Sequence, residues 1–370
     1  MVRKKLLLII PQLSRGGAER VITYIASFLS QEKYEISLIL YEKKGGFLDQ
    51  LPKNVRIFDF KKQAPWDFIK LICLTRKVVK EAEPDVVLSF LFFSNIITGL
   101  SVVFLKRKFR LIFSERNYLP EYLRKIRFGW IKKWLTIFSY RRADLIVPNS
   151  KVSGAALEKV FNVPAEKIRT IYNPIDLESV ISRSQEDVTH PFFAGGHQVI
   201  IGVGRLEEQK RFDRLLRAFA VVRKKNENAR LVVLGEGKLR NKLSEWVSQQ
   251  NLNPSVEFVG SQENPYAWIS KAELFVLSSD FEGFPNVLLE AMACETPVVS
   301  TDCLSGPSEI ITHGENGMLI PTQNESALAE AIHELLNQKE LRHKFSKEGR
   351  KRVEQFKMQE ILPQYEALFQ

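Results

Sequence analysis

The chain has 370 residues, 45% of them hydrophobic and 26% charged, with a formal net charge of +11. That length favours two domains over one, and the hydrophobic content excludes a disordered polymer. Three scattered cysteines (Cys73, Cys294, Cys303) and five histidines without metal-ligand spacing exclude a disulfide scaffold and a zinc module, and imply a reducing compartment.

Taken in chain order, "KLLLII" reads as a buried strand. The apolar run Leu6–Ile10 stops at Pro11, too short for the core of a signal peptide. The loop "PQLSRGG" and the helix "AERVITYIASFLS" follow, then the strands "YEISLIL", "VRIFDF", "PDVVLSF", "RLIFSE" and "DLIVPNS". Ser89–Leu105 is the longest apolar stretch, but its polar residues make it a strand end plus a helix rather than a span. The pattern restarts at "QVIIGVGRL" and runs through "ARLVVLGEG", "VEFVG", "ELFVLSS" and "TPVVST" to "GMLIP". Strands alternating with helices predict an α/β protein with two doubly wound parallel-sheet domains. The expected division is a first domain over 1–175, a linker over 176–196, and a second domain over 197–353, with Asn173-Pro174 as the hinge.

In open α/β sheets ligands bind beyond the carboxyl ends of strands, so two such sheets facing each other would form a cleft lined by post-strand loops. Three of these loops are unusual. In "DFEGFPNVLLEAMACETPVVST", Glu282 and Glu290 flank a Gly-Phe-Pro-Asn turn. Pro285 suits a first helical position, leaving the amides of Gly283, Phe284, Asn286 and Val287 clustered at a helix start, where an anion is favoured. Glu290 lies one turn into a helix that is apolar nearly all round. A carboxylate there is costly unless hydrogen-bonded, and a ribose diol would satisfy it; the plainer reading is an acid favouring the helix dipole. The second loop, "IGVGRLEEQKRF", offers Arg205 and Lys210 near an expected helix start at Lys210. Two cations there oppose the dipole unless an anion such as a diphosphate lies between. In the third, Gly16 and Gly17 would let backbone amides approach a phosphate or sugar, although an ordinary tight turn looks the same.

These motifs together resemble a retaining glycosyltransferase of the GT-B group, family 4. The resemblance spans "SRGGAER" at 14–20, "NPID" at 173–176, "VGRLEEQK" at 203–210, "GEG" at 235–237, "FEGFPNVLLEAMACETPVVS" at 281–300 and "GENGMLIP" at 314–321. It implies a GT-B fold, with the acceptor on the first domain and a nucleotide-sugar donor on the second. It implies that Glu282 lies by the transferred sugar, Glu290 binds the ribose, and Arg205 and Lys210 neutralise the leaving diphosphate. It further implies that a final helix, about 354–370, returns to the first domain. No Asp-x-Asp motif is present, in keeping with transfer that needs no metal and no cofactor. One departure concerns "FSERN": relatives carry a histidine near the donor sugar where this chain has Arg116, between Glu115 and Asn117. These three are candidates for the acceptor or sugar side, although an arginine cannot serve as a neutral base. The departing phosphate would then accept the acceptor's proton on the same face.

The charge is one-sided. Residues 1–190 hold 33 Lys+Arg against 19 Asp+Glu, a net +14, and the remainder is −3. Within 106–142 twelve basic residues meet two acids. Arg124, Lys125, Arg127, Lys132 and Lys133 interleave with Trp130 and Trp134, which suits a helix lying on an anionic membrane surface; the competing reading packs these aromatics into the domain's own core. No nucleic-acid-binding module is visible. The expected function is sugar transfer from a UDP-sugar to a lipid-linked or surface-polysaccharide glycan, by an enzyme peripheral to the cytoplasmic face of the membrane. The rivals are an inactive homologue serving as a membrane-bound assembly partner and a sugar-nucleotide epimerase.

Overall fold

The computed structural model describes residues 3–14, 16–64 and 67–370. It divides into two compact units, Met1–Pro174 with Met358–Gln370, and Ile175–Lys357.

The first unit holds β1 (Lys4–Ile10), β2 (Tyr34–Leu40), β3 (Arg56–Asp59), β4 (Val86–Phe90), β5 (Arg110–Glu115) and β6 (Leu145–Pro148). They form one parallel sheet in the order β3-β2-β1-β4-β5-β6. The unbroken apolar run of β1 has a simple cause: both faces are covered. Leu6, Leu8 and Ile10 enter one core, and Leu7 and Ile9 enter the other. The segment 89–105 resolves into the end of β4 and the helix Phe92–Ser101.

The second unit holds β7 (Gln198–Val203), β8 (Ala229–Leu234), β9 (Val256–Gly260), β10 (Leu274–Leu277), β11 (Val298–Asp302) and β12 (Met318–Pro321). Its order, β12-β11-β10-β7-β8-β9, is the doubly wound order again, with every pair parallel.

The stretch 176–196 is not a free linker. Asp176 caps the helix Leu177–Ser184 by accepting from the Ser179 amide at 3.1 Å, and a short helix Pro191–Ala194 follows within the second unit. The signal was present as an Asp followed by a helical Leu-Glu-Ser. At the other end Glu354–Phe356 is a single tight turn that stays with the second unit. The returning helix is Met358–Ala367, whose Ile361, Leu362 and Tyr365 join the core of the first unit with Phe369.

Candidate active site

In the second unit the strand order reverses between β7 and β10, so the loops that follow these strands leave the sheet side by side. The loop after β7 carries Arg205 and Lys210. Lys210 closes a short turn, Glu208–Lys210, and the long helix starts only at Phe212, later than its expected start. The loop after β10 carries Glu282. Lys210 Nζ donates to Glu282 Oε1 at 2.7 Å, with side chains only 14% and 8% exposed. Ser279 Oγ donates to the same oxygen at 2.6 Å. A carboxylate this dry requires such donors. Arg205 is exposed and makes no side-chain hydrogen bond or ion pair among the described residues.

Glu290 is 4% exposed, on the helix Asn286–Ala293. Pro285 occupies the capping position before this helix, not the expected first helical position, and its backbone is extended. Gly283, Phe284 and Pro285 are buried, and Asn286 and Val287 are half-buried. The turn is held from outside: Ser305 Oγ donates to the Gly283 carbonyl at 2.9 Å. Gly306 has φ +96°, and a Cβ there would lie 2.6 Å from Pro285 Cδ, so only glycine fits. Burial pushes the Cys303 thiol well up, and the Glu282 charge pushes the same way; burial and then Glu290 do likewise for Cys294. Both thiols stay protonated and neither is a nucleophile.

In the first unit Gly16 precedes the helix Gly17–Phe28. Its missing side chain makes room for Glu19: a Cβ on Gly16 would lie 2.3 Å from Glu19 Oε2. Ser14 Oγ donates to Glu19 Oε1 at 2.8 Å. Gly16 is therefore overlain by the chain's own carboxylate, whereas Gly17 is exposed.

At the end of β5, Glu115 is fully buried. Its Oε1 accepts from the amides of Arg116 and Asn117 at 2.9 and 3.1 Å, and its Oε2 from Tyr140 Oη at 2.6 Å. Burial pushes its carboxyl up to about 7, against these hydrogen bonds and the Arg116 charge. Arg116 itself is buried in the fold. Its Nη1 donates to Asn173 Oδ1 at 2.8 Å, Nη2 donates to Tyr365 Oη, and the guanidinium stacks over Phe90, 4.9 Å from the ring centroid. The candidate sugar contact is occupied instead in tying β5 to the returning helix, and Asn117 is only half-buried beside it.

The aromatics of the basic segment are not in the core. On the helix Gly129–Tyr140, Trp130 and Trp134 are 70% and 69% exposed. Arg124, Lys125, Arg127 and Lys133 are exposed and Lys132 is partly so. Arg124 pairs with Glu121 at 2.6 Å, and Arg127 lies 4.7 Å from the Phe128 ring centroid.

Two family models match the chain: Glycosyltransferase Family 4 over residues 15–179 and Glycosyl transferases group 1 over 185–352. A relative from Campylobacter jejuni is 32% identical, over 95% of this chain and 96% of its own; it is named N-acetylgalactosamine-N,N'-diacetylbacillosaminyl-diphospho-undecaprenol 4-alpha-N-acetylgalactosaminyltransferase. The chain belongs to the family 4, group 1 glycosyltransferases. The GT-B fold agrees. The sucrose-phosphate synthase of Thermosynechococcus elongatus superposes with a TM-score of 0.86 at 19% identity, over 99% of this chain and 98% of that one. The HepE protein of Anabaena, in complex with UDP and glucose, gives 0.83 at 21% identity, over 99% of each chain.

In this glycosyltransferase the structure joins Lys210 to Glu282 but makes Glu115 and Arg116 part of the fold. Sequence reasoning missed Ser279, which fixes Glu282, and Arg214, a fully buried arginine that donates to the Ser278 carbonyl at 2.7 Å. Arg214 stands one turn before the buried Ala218, a place where a charge in "RFDRLLRAF" signals a buried partner. Among the described residues no group of three or more His, Cys, Asp or Glu is placed to hold a metal ion, and no helix is long and apolar enough to cross a membrane.

Arg116→Ala removes two charge-assisted hydrogen bonds and should lower the unfolding free energy by roughly 3 kcal/mol in denaturant titrations. Unchanged stability with lost transfer activity would return Arg116 to the substrate. The folded-state carboxyl of Glu115 is raised to about 7, so the fold binds its proton more tightly than the unfolded chain does. That contribution is full below the ordinary glutamate range and is lost as pH rises towards and through 7, on the order of 3 kcal/mol in all. Glu115→Gln should flatten the pH dependence of stability across that window.

Proposed function

We propose that this glycosyltransferase moves a sugar from a nucleotide-sugar donor, a UDP-sugar, to a lipid-linked or growing surface glycan, with retention and without a metal. The observation that carries the reading is the Lys210–Glu282 pair at the reversal of strand order, beside a helix that buries Glu290. Glu290 would accept from the ribose hydroxyls. Lys210, with the uncommitted Arg205, would meet the diphosphate. Charge grows on that diphosphate as the glycosidic bond breaks, so a cation there acts most in the transition state. Glu282, freed from Lys210 as the phosphates arrive, would contact the transferred sugar.

Retention fits a site in which the leaving phosphate takes the acceptor's proton. No histidine lies before residue 190, and Arg116 is committed to Asn173 and Tyr365. Two cations at the diphosphate would perform the neutralisation that a metal supplies elsewhere. The lipid-linked acceptor is supported by the diphospho-undecaprenol in the name of the Campylobacter relative, and the UDP by the Anabaena complex. The exposed tryptophans on a basic helix suit docking on the anionic cytoplasmic face of a membrane, where such acceptors are held.

The test is a panel of nucleotide sugars with a membrane lipid extract, the product identified by mass spectrometry. One donor should give a glycosylated lipid with the anomeric configuration kept and activity undiminished by EDTA. Lys210→Ala should lower kcat roughly 100-fold. Glu290→Ala should weaken nucleotide binding by about 1.5–3 kcal/mol in calorimetry; unchanged affinity for UDP, GDP and ADP would remove the ribose assignment.

Binding to anionic vesicles should fall with salt without vanishing, because attraction is worth about 1 kcal/mol per basic residue and is screened, whereas tryptophan insertion is not. Lys132→Glu with Lys133→Glu should weaken the salt-sensitive part, and Trp134→Ala the remainder. Equal partitioning onto neutral and anionic vesicles at low salt would defeat the electrostatic reading.

A further inference from the structure

The loops after β7 and β10 are stitched together by hydrogen bonds from one to the other. The Asp280 amide donates to the Gln209 carbonyl at 2.9 Å, and Gln209 Nε2 donates back to the Phe281 carbonyl at 2.8 Å. Ser278 Oγ donates to the carbonyls of Lys210 and Arg211 at 2.9 and 3.0 Å. The Asp280 carboxylate is gripped from two sides. Arg214 Nη2, on a side chain 1% exposed, donates to Oδ1 at 2.7 Å, and Arg211 Nη1 reaches both oxygens at 3.2 and 3.3 Å.

Arg211 holds an unusual backbone. Its φ is +50°, a conformation that favours glycine, at the junction between the Lys210 turn and the long helix. A non-glycine residue persists there only where its surroundings over-determine it. Here the guanidinium is bound bidentately by Asp213, at 2.9 and 3.0 Å, as well as by Asp280. The strained residue is the one immediately after Lys210, and its second anchor lies two residues before Glu282.

We infer that Asp280, gripped by Arg211 and Arg214, is a positioning residue that sets the place of Lys210 against Glu282. Two flexible loops would otherwise let the lysine stem sample many rotamers and solvate its ammonium. With the loops locked, Lys210 is held on Glu282 in a nearly buried pair and needs little reorganisation to turn to an arriving diphosphate. The functional half of this inference rests on the proposed role of Lys210; the positional half does not.

The test has one ligand-free arm and one ligand arm. Trace acetylation of the full-length protein, read by mass spectrometry, gives the reactivity of Lys210 relative to exposed Lys242. Asp280→Asn should raise that ratio roughly tenfold, the scale of one coupled contact, while the melting curve stays cooperative. Arg211→Gly is the second variant: glycine relieves the strained φ, so the backbone is kept while the grip on Asp280 is lost, and the ratio should rise likewise. An unchanged ratio in Arg211→Gly, or in a folded Asp280→Asn, overturns the inference. The ligand arm compares UDP with UMP, which lacks the second phosphate. Asp280→Asn should reduce the preference for UDP roughly tenfold in wild-type background and should reduce it no further in Lys210→Ala. Additive losses overturn the coupling. If Lys210→Ala itself leaves the UDP preference intact, the diphosphate role of Lys210 fails, and the acetylation ratio still decides whether Asp280 positions it.

Discussion

The candidate site of the second unit depends on the parallel pairing of β7 with β10. Their register, Leu274 against Ile200 and Phe275 against Ile201, puts two loops from distant parts of the chain next to each other. Strand order reverses at this pair, so no crossing helix fills the space above it. Lys210 and Glu282, 72 residues apart in the sequence, meet at 2.7 Å as a consequence. The strands cannot slip to undo this, because both faces are buried and a one-residue shift would turn every side chain to the wrong core.

Burial then sorts the charges. A cation with little access to water must be paired, since an unpaired buried charge costs several kcal/mol. In the second unit Arg214 is spent on Ser278 and Asp280, and Arg211 on Asp213 and Asp280. Lys210 is paired with a single carboxylate, and Arg205 is exposed. Of these four cations, Lys210 and Arg205 are the two least committed to the fold. Arg116 is held in the same way, its two terminal nitrogens bound inside the first unit.

The first unit shows the converse at its surface. Helix Gly129–Tyr140 buries Thr136, Ser139 and Tyr140, a narrow and partly polar face, and leaves its tryptophans outward. Ser139 approaches Gly99 so closely that a Cβ on the glycine would lie 2.5 Å from the serine Cβ. The small residues admit the neighbouring helix, and the large apolar ones are left to face something other than the core. Tyr140 meanwhile reaches inward to Glu115, so the exposed helix is rooted in the network at the end of β5.

Much of this was legible in the residues alone. Continuous apolar runs between helical patterns specify parallel strands covered on both faces, because only there is every side chain buried. Glu282, Glu290, Arg205 and Lys210 stood out because charges beside helix starts or inside apolar runs need a reason. The residues specify what is local: which segments are strands, which loops follow them, and which charges are out of place. The tertiary structure alone decided which of those charges are free. Arg116 and Arg205 are both arginines in post-strand loops, but Tyr365 and Asn173 enclose the first and the second is exposed. Trp134 has a spacing that suits a core face or a membrane face equally, since helical periodicity marks one side without saying what covers it. Partners hundreds of residues away settle such questions, and local propensity carries no trace of them.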